Sequence, residues 1–366
     1  MTPRMAETDN IQVKRSLFYD DPWQYYNAML EDISAAKKSI CIETYKYGGG
    51  NIGERFRDVL TRKAKEGVEI KILIDSWGGQ VSHSFFKDLE SHGGEVRFFM
   101  KIRFFWDFFT KNHRRNHRKL LLIDDHISYI GSSNIAGHSL NWCESVLRME
   151  DSDLHAKFMK IFFDDFNNYN RYIFNKPGLT RLIRSGDYEI IRDVPSITRQ
   201  NIKKHYENMI KNARQRVVIE TPYFLPGFLL RKTMTDAVKR GVDVTVIIPK
   251  NSDVHMVDMV RGRYLGMLHK SGVNFRMFLP HNLHSKLLLI DGKTFSLGSA
   301  NFDYRSFRYQ HEIILAGSDK EIVGQLKTHI SNCLANSSPF DYDEWLKRPF
   351  IQRFFEWIYL PFRHLM

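Results

Sequence analysis

The chain is poor in cysteine. It has three in 366 residues, Cys41, Cys143 and Cys333, too few and too scattered for a disulfide framework or a local metal motif. A reducing compartment is the plain reading. Long apolar runs are missing too. No segment holds about 18 uninterrupted apolar residues, so no transmembrane helix is expected. The opening stretch, MTPRMAETDNIQVKRS, lacks the apolar centre of a secretory signal, and none is expected. Carboxylates do not cluster with divalent-ligand spacing, so no metal and no cofactor is expected. Acidic residues number 42 against 54 Lys and Arg, leaving a formal net charge of +12. That excess favours an anionic partner, either a membrane surface or a nucleic acid.

What the chain does have is one short pattern twice. The first copy is His117-Arg118-Lys119, four apolar residues, Asp124, then Gly131-Ser132-Ser133-Asn134. The second is His284-Ser285-Lys286, four apolar residues, Asp291, then Gly298-Ser299-Ala300-Asn301. The spacing is identical. A lone acid follows each: Glu144, ten residues after Asn134, and Glu312, eleven after Asn301.

The run from Arg118 to Asp124 reads as a buried strand. Alternation along a strand puts His117 and Lys119 on one face and Arg118 on the other. His284 and Lys286 repeat this. An imidazole able to attack phosphorus, beside an ammonium able to neutralise a non-bridging oxygen, suits phosphoryl transfer. The candidate catalytic set is therefore His117, Lys119, Asp124, His284, Lys286 and Asp291. Asp124 and Asp291 lie at i+7 from the histidines, on the other face, and are given a structural or orienting role. Ser132, Asn134, Ser299 and Asn301 are read as turn residues that hydrogen-bond an anion. Glu144 and Glu312 are candidates to hold the far ring nitrogen of a histidine.

The duplication is wider than the motif. AKKSICIETYKY (36–47) parallels ARQRVVIETPYF (213–224), and RKAKEGVEIKILID (62–75) parallels DAVKRGVDVTVIIP (236–249). Each half reads as strand, helix, strand, helix, strand, catalytic strand, an α/β domain repeated once. Predicted domains are 1–180 and 181–340, joined by a linker near 178–200, with a basic-aromatic tail at 341–366. Each half supplies one histidine, so the site must lie between them.

These motifs resemble those of the phospholipase D superfamily. The longer context GSANFDYRSFRYQHE (298–312), with Asp303, Arg305, Ser306 and Glu312, is similar to bacterial cardiolipin synthases, as are ETPYFLP and the ending after Trp345. The likeness runs over roughly residues 12–366 and looks closest to a short subgroup without N-terminal transmembrane helices. It implies two similar α/β sandwich domains in a pseudo-twofold pair with the site between them. It also implies a metal-independent phosphatidyl transfer through a phosphohistidine, with His117 as nucleophile and His284 as acid and base. Ser132, Asn134, Glu144, Ser299, Asn301, Arg305 and Glu312 become the candidate substrate-binding set. Phosphatidylglycerol is the implied acceptor, with phosphatidylglycerol or phosphatidylethanolamine as donor.

Such an enzyme must hold a bilayer. Two aromatic-basic segments suit an interfacial contact, Phe105, Trp106 and Phe109 in 101–119, and Phe354 and Trp357 in an amphipathic helix at 344–366. The expected partners are phospholipids and an anionic membrane surface, at the cytoplasmic side of a bacterial inner membrane. Arg114 and Arg115 are read as meeting lipid phosphates or as a solvated loop. His113, His126 and His311 are read as surface or supporting residues. A phospholipase D that admits water second, a phosphatidylserine synthase, a nuclease and an inactive scaffold are the rival readings. A nuclease leaves the aromatic tail unexplained, so no nucleic acid is expected.

Overall fold

The computed structural model describes residues 15–101, 114–171, 173, 182–280, 282–359 and 361. Sixteen strands run in chain order among these residues. They are β1 (Arg15–Tyr19), β2 (Ser39–Thr44), β3 (Glu69–Asp75), β4 (Glu95–Phe99), β5 (Leu120–Ile123), β6 (Ile127–Gly131), β7 (Val146–Glu150) and β8 (Ile183–Ser185). Then follow β9 (Tyr188–Asp193), β10 (Arg216–Glu220), β11 (Asp243–Pro249), β12 (Asn274–Phe278), β13 (Leu287–Ile290), β14 (Thr294–Gly298), β15 (Glu312–Gly317) and β16 (Ser337–Pro339).

They form two sheets of one topology. The first has the order β4-β3-β2-β5-β6-β7-β1; the second contains β12-β11-β10-β13-β14-β15-β9, extended by β16 at one edge and β8 at the other. Parallel pairs β2–β3–β4 match β10–β11–β12, and the antiparallel β5–β6–β7 match β13–β14–β15. The expected duplication of an α/β unit is what is found. The expected linker near 178–200 is not. β8 and β9 fall inside it, and β9 pairs with β15 along six residues. Pro195 and Ser196 end that hairpin rather than a linker, because the edge of β15 offers unpaired backbone groups that β9 satisfies.

The run Leu120-Leu121-Leu122-Ile123 is wholly apolar because both faces of its sheet are covered. Leu120 and Leu122 face a core shared by both halves, together with Leu287, Leu289, Leu297 and Leu315. Leu121 and Ile123 face the helices on the outer side of their own sheet. Leu288 and Ile290 do the same in the second half. Two helices, Ser152–Asn167 and Lys320–Ala335, pack Phe158, Phe162, Leu326 and Ile330 into the shared core. Burial at about 25 cal/mol per Å² makes this centre the main force holding the halves together.

No helix among the described residues is long and apolar enough to cross a membrane. The helix Phe350–Tyr359 packs along the helix His255–Lys270, where Trp345 Nε1 donates to Gly262 O at 2.8 Å. On this helix Glu356 is buried and pairs with Arg348 at 2.9 Å.

Candidate active site

The two strands that carry the His-x-Lys motifs are entered through short parallel bridges that join the halves. Asn116 pairs with His311, and Cys143 with Leu283. His117 N donates to His311 O at 3.0 Å, and His284 N to Cys143 O at 2.7 Å. Each bridge sets the histidine of one half beside the residue that follows in the other, which is a glutamate. His117 Nδ1 lies 3.0 Å from Glu312 Oε1, and His284 Nδ1 lies 2.9 Å from Glu144 Oε1. The carboxylates are thus exchanged between halves. Each fixes its imidazole so that Nε2 is the free nitrogen.

Both histidines line one pocket of about 380 Å³ between the halves. Asn134, Asn301 and Arg305 line it too. Asn134 Oδ1 accepts from Lys46 N at 3.1 Å, which leaves its amide hydrogens for a ligand. Lys119 and Lys286 lie just beneath this floor, each turned back so that Nζ donates to the carbonyl of its own histidine, His117 O and His284 O.

Four of the sequence-based substrate contacts are corrected. Ser132 and Ser299 are fully buried, and their hydroxyls donate to Glu144 and Glu312 rather than facing the pocket. Glu144 and Glu312 are fully buried behind the imidazoles, so they position and do not bind. The glycines ahead of them serve strand packing, not anion approach. A Cβ on Gly131 would stand 2.1 Å from Ser145 O, and on Gly298, 2.3 Å from Ile313 O.

Asp124 and Asp291 are likewise removed from the catalytic set. Both adopt a left-handed backbone, φ 55° and 52°. The Asp124 carboxylate accepts from the backbone of Lys37, Lys38 and Ser39, and Asp291 from Arg214, Gln215 and Arg216. They tie the far end of the catalytic strand to its neighbour, the structural role that strand alternation implied.

Arg115 is another correction. It is buried and clamps Asp75, with Nη2 at 2.8 Å from Oδ1, so it meets no lipid. His126 sits by Asp125 near the surface, whereas His311 is buried beside Asp165. Phe105, Trp106, Phe109 and His113 lie outside the described residues. Phe354 and Trp357 are on the helix Phe350–Tyr359, 42% and 65% exposed.

Some site residues were missed. Tyr45 lies 5.1 Å from the His117 ring, and Trp142 4.8 Å from the His284 ring. Asp253 and Tyr223 share a 2.7 Å hydrogen bond at the pocket wall. Tyr45 and Tyr223 stood in the duplicated Glu-Thr segments, a usable signal. Asp253 and Trp142 sit in loops whose sequence the other half does not repeat.

Arg118 was also missed. It reaches into the second half, where Nη2 donates to Asp193 O at 3.0 Å, while Nη1 pairs with Asp165 of its own half.

Electrostatics set the protonation states. Burial, reinforced by Lys119 and Lys286, holds the His117 imidazole well below its ordinary value, so it is neutral. Burial lowers His284 as well, opposed by Glu144. Burial pushes Glu144 up, but His284, Lys286 and Ser132 outweigh it and keep this carboxyl below its ordinary value. Glu312 goes the other way, raised by burial to about 7. Burial also brings Lys119 down to about 7 and Lys286 to about 8. The arrangement can therefore offer one neutral nucleophilic nitrogen, a second imidazole backed by an ionised carboxylate, and ammonium groups for a phosphoryl anion.

A duplicated α/β sheet with one His-x-Lys motif from each half defines a phospholipase D-type protein. The crystal structure of phosphatidylserine synthase from Haemophilus influenzae Rd KW20 has this fold, with a TM-score of 0.77 at 14% identity, over 96% of this chain and 95% of that one. Residues 29–166 and 206–334 match the family model described as cardiolipin synthase, PLD-like domain. Major cardiolipin synthase ClsA of Bacillus subtilis is 32% identical over 340 residues, 88% of this chain and 70% of that protein. The cardiolipin synthase of Oceanobacillus iheyensis is 32% identical over 331 residues, 87% of this chain and 68% of its own. The chain belongs to the cardiolipin synthase family of phospholipase D-like proteins.

Proposed function

We propose that this chain makes cardiolipin by a two-step phosphatidyl transfer. His117 Nε2 attacks the phosphorus of a phosphatidylglycerol or phosphatidylethanolamine donor. The phosphorus–oxygen bond to the headgroup breaks, and His284 gives the departing alcohol its proton. The headgroup leaves. Phosphatidylglycerol then enters, and His284, now neutral, takes the proton of its hydroxyl. That oxygen attacks phosphorus, the phosphorus–nitrogen bond breaks, and cardiolipin is released with His117 restored.

The observation that carries this reading is the exchanged pairing, His117 on Glu312 and His284 on Glu144 across one pocket. The different states of the two glutamates support the division of labour. The ionised Glu144 stabilises an imidazolium, which suits His284 as proton carrier. His117 is held neutral, which suits a nucleophile. Lys119, Lys286, Asn134, Asn301 and Arg305 surround the phosphoryl oxygens; an incoming phosphodiester draws each lysine off its backbone carbonyl.

The enzyme works at the cytoplasmic face of the membrane. Its net charge of +12 suits an anionic bilayer. The helix Phe350–Tyr359 shows Phe350, Ile351, Phe354 and Trp357 to solvent and buries its glutamate, the inverse of an ordinary surface helix. That helix leans on Val257, Val260 and Tyr264 through Tyr359, and Val257 also lines the pocket. A lipid leaving the bilayer there has a short path to the histidines.

The test is purified protein with labelled phosphatidylglycerol in mixed micelles, with and without phosphatidylethanolamine, products resolved by mass spectrometry. Cardiolipin and glycerol that vanish in His284→Ala support transfer. Phosphatidic acid as the sole product means that water is the acceptor and refutes it.

A further inference from the structure

A second cluster of reactive side chains lies on the side of Glu144 away from the pocket. His329, in the helix Lys320–Ala335, is buried and held at both nitrogens. Nδ1 is 2.7 Å from Asp20 Oδ2, and Nε2 is 2.9 Å from Glu220 Oε2. One turn on, Cys333 Sγ lies 3.9 Å from Nδ1 and 3.6 Å from Nε2. Cys143, from the loop ahead of Glu144, completes the group. Ligand atoms of Cys143, His329 and Cys333 lie within 4.8 Å of one another, the only such trio of potential metal ligands among the described residues.

The duplication shows what is unusual here. Glu220 corresponds to Glu43, and Cys143, one residue before Glu144, corresponds to His311, one before Glu312. Cys333 lies fourteen residues after its helix cap Asp319, as Asp165 lies fourteen after Asp151. In the first half this position holds an ionic cluster, Asp165 and His311 with the Arg118 guanidinium. In the second half Ser285 stands where Arg118 would, and its buried Oγ has no hydrogen-bond partner. Two thiols and an imidazole have replaced a carboxylate, an imidazole and a guanidinium. The guanidinium is gone; the cation here is the His329 imidazole between Asp20 and Glu220, and two thiols stand beside it.

The geometry points to a structural site for a divalent transition ion, zinc by its donor set, held by Cys143, Cys333 and His329, with Asp20 moving in from its hydrogen bond to Nδ1 as the fourth ligand. Two sulfurs, one imidazole nitrogen and one carboxylate oxygen suit four-coordinate zinc. His329 would bind through Nδ1 and keep its Nε2 hydrogen bond to the fully buried Glu220, the carboxylate that orients a metal-bound imidazole. Asp20 Oδ2 and Nδ1 then part from their hydrogen-bonded contact to about 3.3 Å, the separation of two ligands 2.0 Å from one ion. Binding releases the two thiol protons and the proton between Nδ1 and Asp20. An open cleft lined by Asp20, Trp142, Cys143 and Cys333 supplies the entry path. The ion would tie four segments together, namely the end of β1, the loop carrying Glu144, β10 through Glu220, and the helix Lys320–Ala335. Its action on chemistry is indirect, because Glu144 is the next residue after Cys143. The site is independent of the proposed lipid reaction.

The experiment uses the full chain, purified under reducing conditions without chelator. Zinc is counted by plasma mass spectrometry, then replaced by cobalt for absorption spectroscopy. About one metal per chain is expected, with a thiolate-to-cobalt charge-transfer band and the visible bands of a tetrahedral site. Cys143→Ser with Cys333→Ser should lose both the metal and the band while the far-ultraviolet dichroism holds. If that double variant fails to fold, the native cobalt spectrum decides alone. A native chain that takes up neither ion with thiolate bands overturns the site. So does metal retained by the folded double variant, or a Cys143–Cys333 disulfide in the reduced preparation.

Discussion

Glu312 Oε1 lies 3.0 Å from His117 Nδ1, although the two residues are 195 apart in sequence and belong to different halves of the duplication. Glu144 stands in the same relation to His284. Neither half is a complete site. The carboxylate that sets the tautomer of each imidazole comes from the other sheet, so the histidines are competent only when the shared core is packed.

Removing either carboxylate tests that dependence. Glu312→Gln and Glu144→Gln should each lower kcat about 10–100-fold, the usual cost of losing a partner that orients a histidine. KM should move little. A purely structural defect would lower the melting temperature and the active fraction, while the surviving kcat would stay native in its pH profile. An altered pH profile in a normally folded variant is the expected result.

The alkaline limb of activity follows from the lysines. Lys119 at about 7 and Lys286 at about 8 lose their charge as pH rises through those values. In the free enzyme kcat/KM should therefore fall from about pH 7 to 8 upward, while a neutral His117 keeps it from falling early on the acid side. Lys119→Arg retains its charge and should move that limb to higher pH, at some loss of kcat from the bulkier head. Rates measured from pH 5.5 to 9.5 decide this.

The same depression has a stability consequence. The unfolded chain holds the Lys119 proton up to its ordinary value of 10.5, the folded chain only to about 7. Between these values the unfolded state binds more protons, so this residue penalises folding most below about 7 and the penalty fades toward 10.5. Lys119→Met should melt several degrees above the native chain at pH 6.5, with a smaller gain at pH 9.5, and be inactive. Calorimetry at the two pH values checks the sign.

Asp291 offers the opposite case. Its carboxylate accepts three backbone hydrogen bonds in a left-handed turn. Asp291→Asn tolerates that conformation and keeps one acceptor, so about 1 kcal/mol of stability should go while kcat stays within about twofold. A loss of kcat near that of His284→Ala, with the melting temperature unchanged, would put Asp291 in the chemistry.

Membrane contact is read from the exposed aromatic face. Phe354→Ser with Trp357→Ser removes side chains worth about 1.5–3 kcal/mol each on burial. Sedimentation with phosphatidylglycerol vesicles should show at least a tenfold loss of binding. Activity toward short-chain lipid in solution should be retained.

Much of this was readable beforehand. The spacing of two His-x-Lys motifs picked out the two histidines that meet in one pocket, and the parallel sequence blocks implied one sheet topology used twice. Strand alternation also placed Asp124 and Asp291 away from the histidines, where their carboxylates accept backbone hydrogen bonds. What alternation could not give was partnership across the shared core. Ser132 and Ser299 looked like anion ligands, but their hydroxyls are spent on Glu144 and Glu312. Arg115 was read as a lipid contact or part of a solvated loop, because loops of arginine usually are exposed, yet Asp75 buries it. The hairpin β8–β9 was read as linker, since a short edge hairpin has little periodicity of its own. Cys143 and Cys333, 190 residues apart in sequence, meet only through the packing of the helix Lys320–Ala335.

The most direct test is to trap the covalent intermediate. The native chain is mixed with labelled phosphatidylglycerol, quenched within one turnover under conditions that preserve phosphohistidine, digested, and its lipid-modified peptides mapped by mass spectrometry. A phosphatidyl group on His117, absent in His117→Ala, is the predicted result. Label on His284 would reverse the two roles. Steady cardiolipin synthesis with no histidine adduct at any quench time would contradict the two-step account altogether.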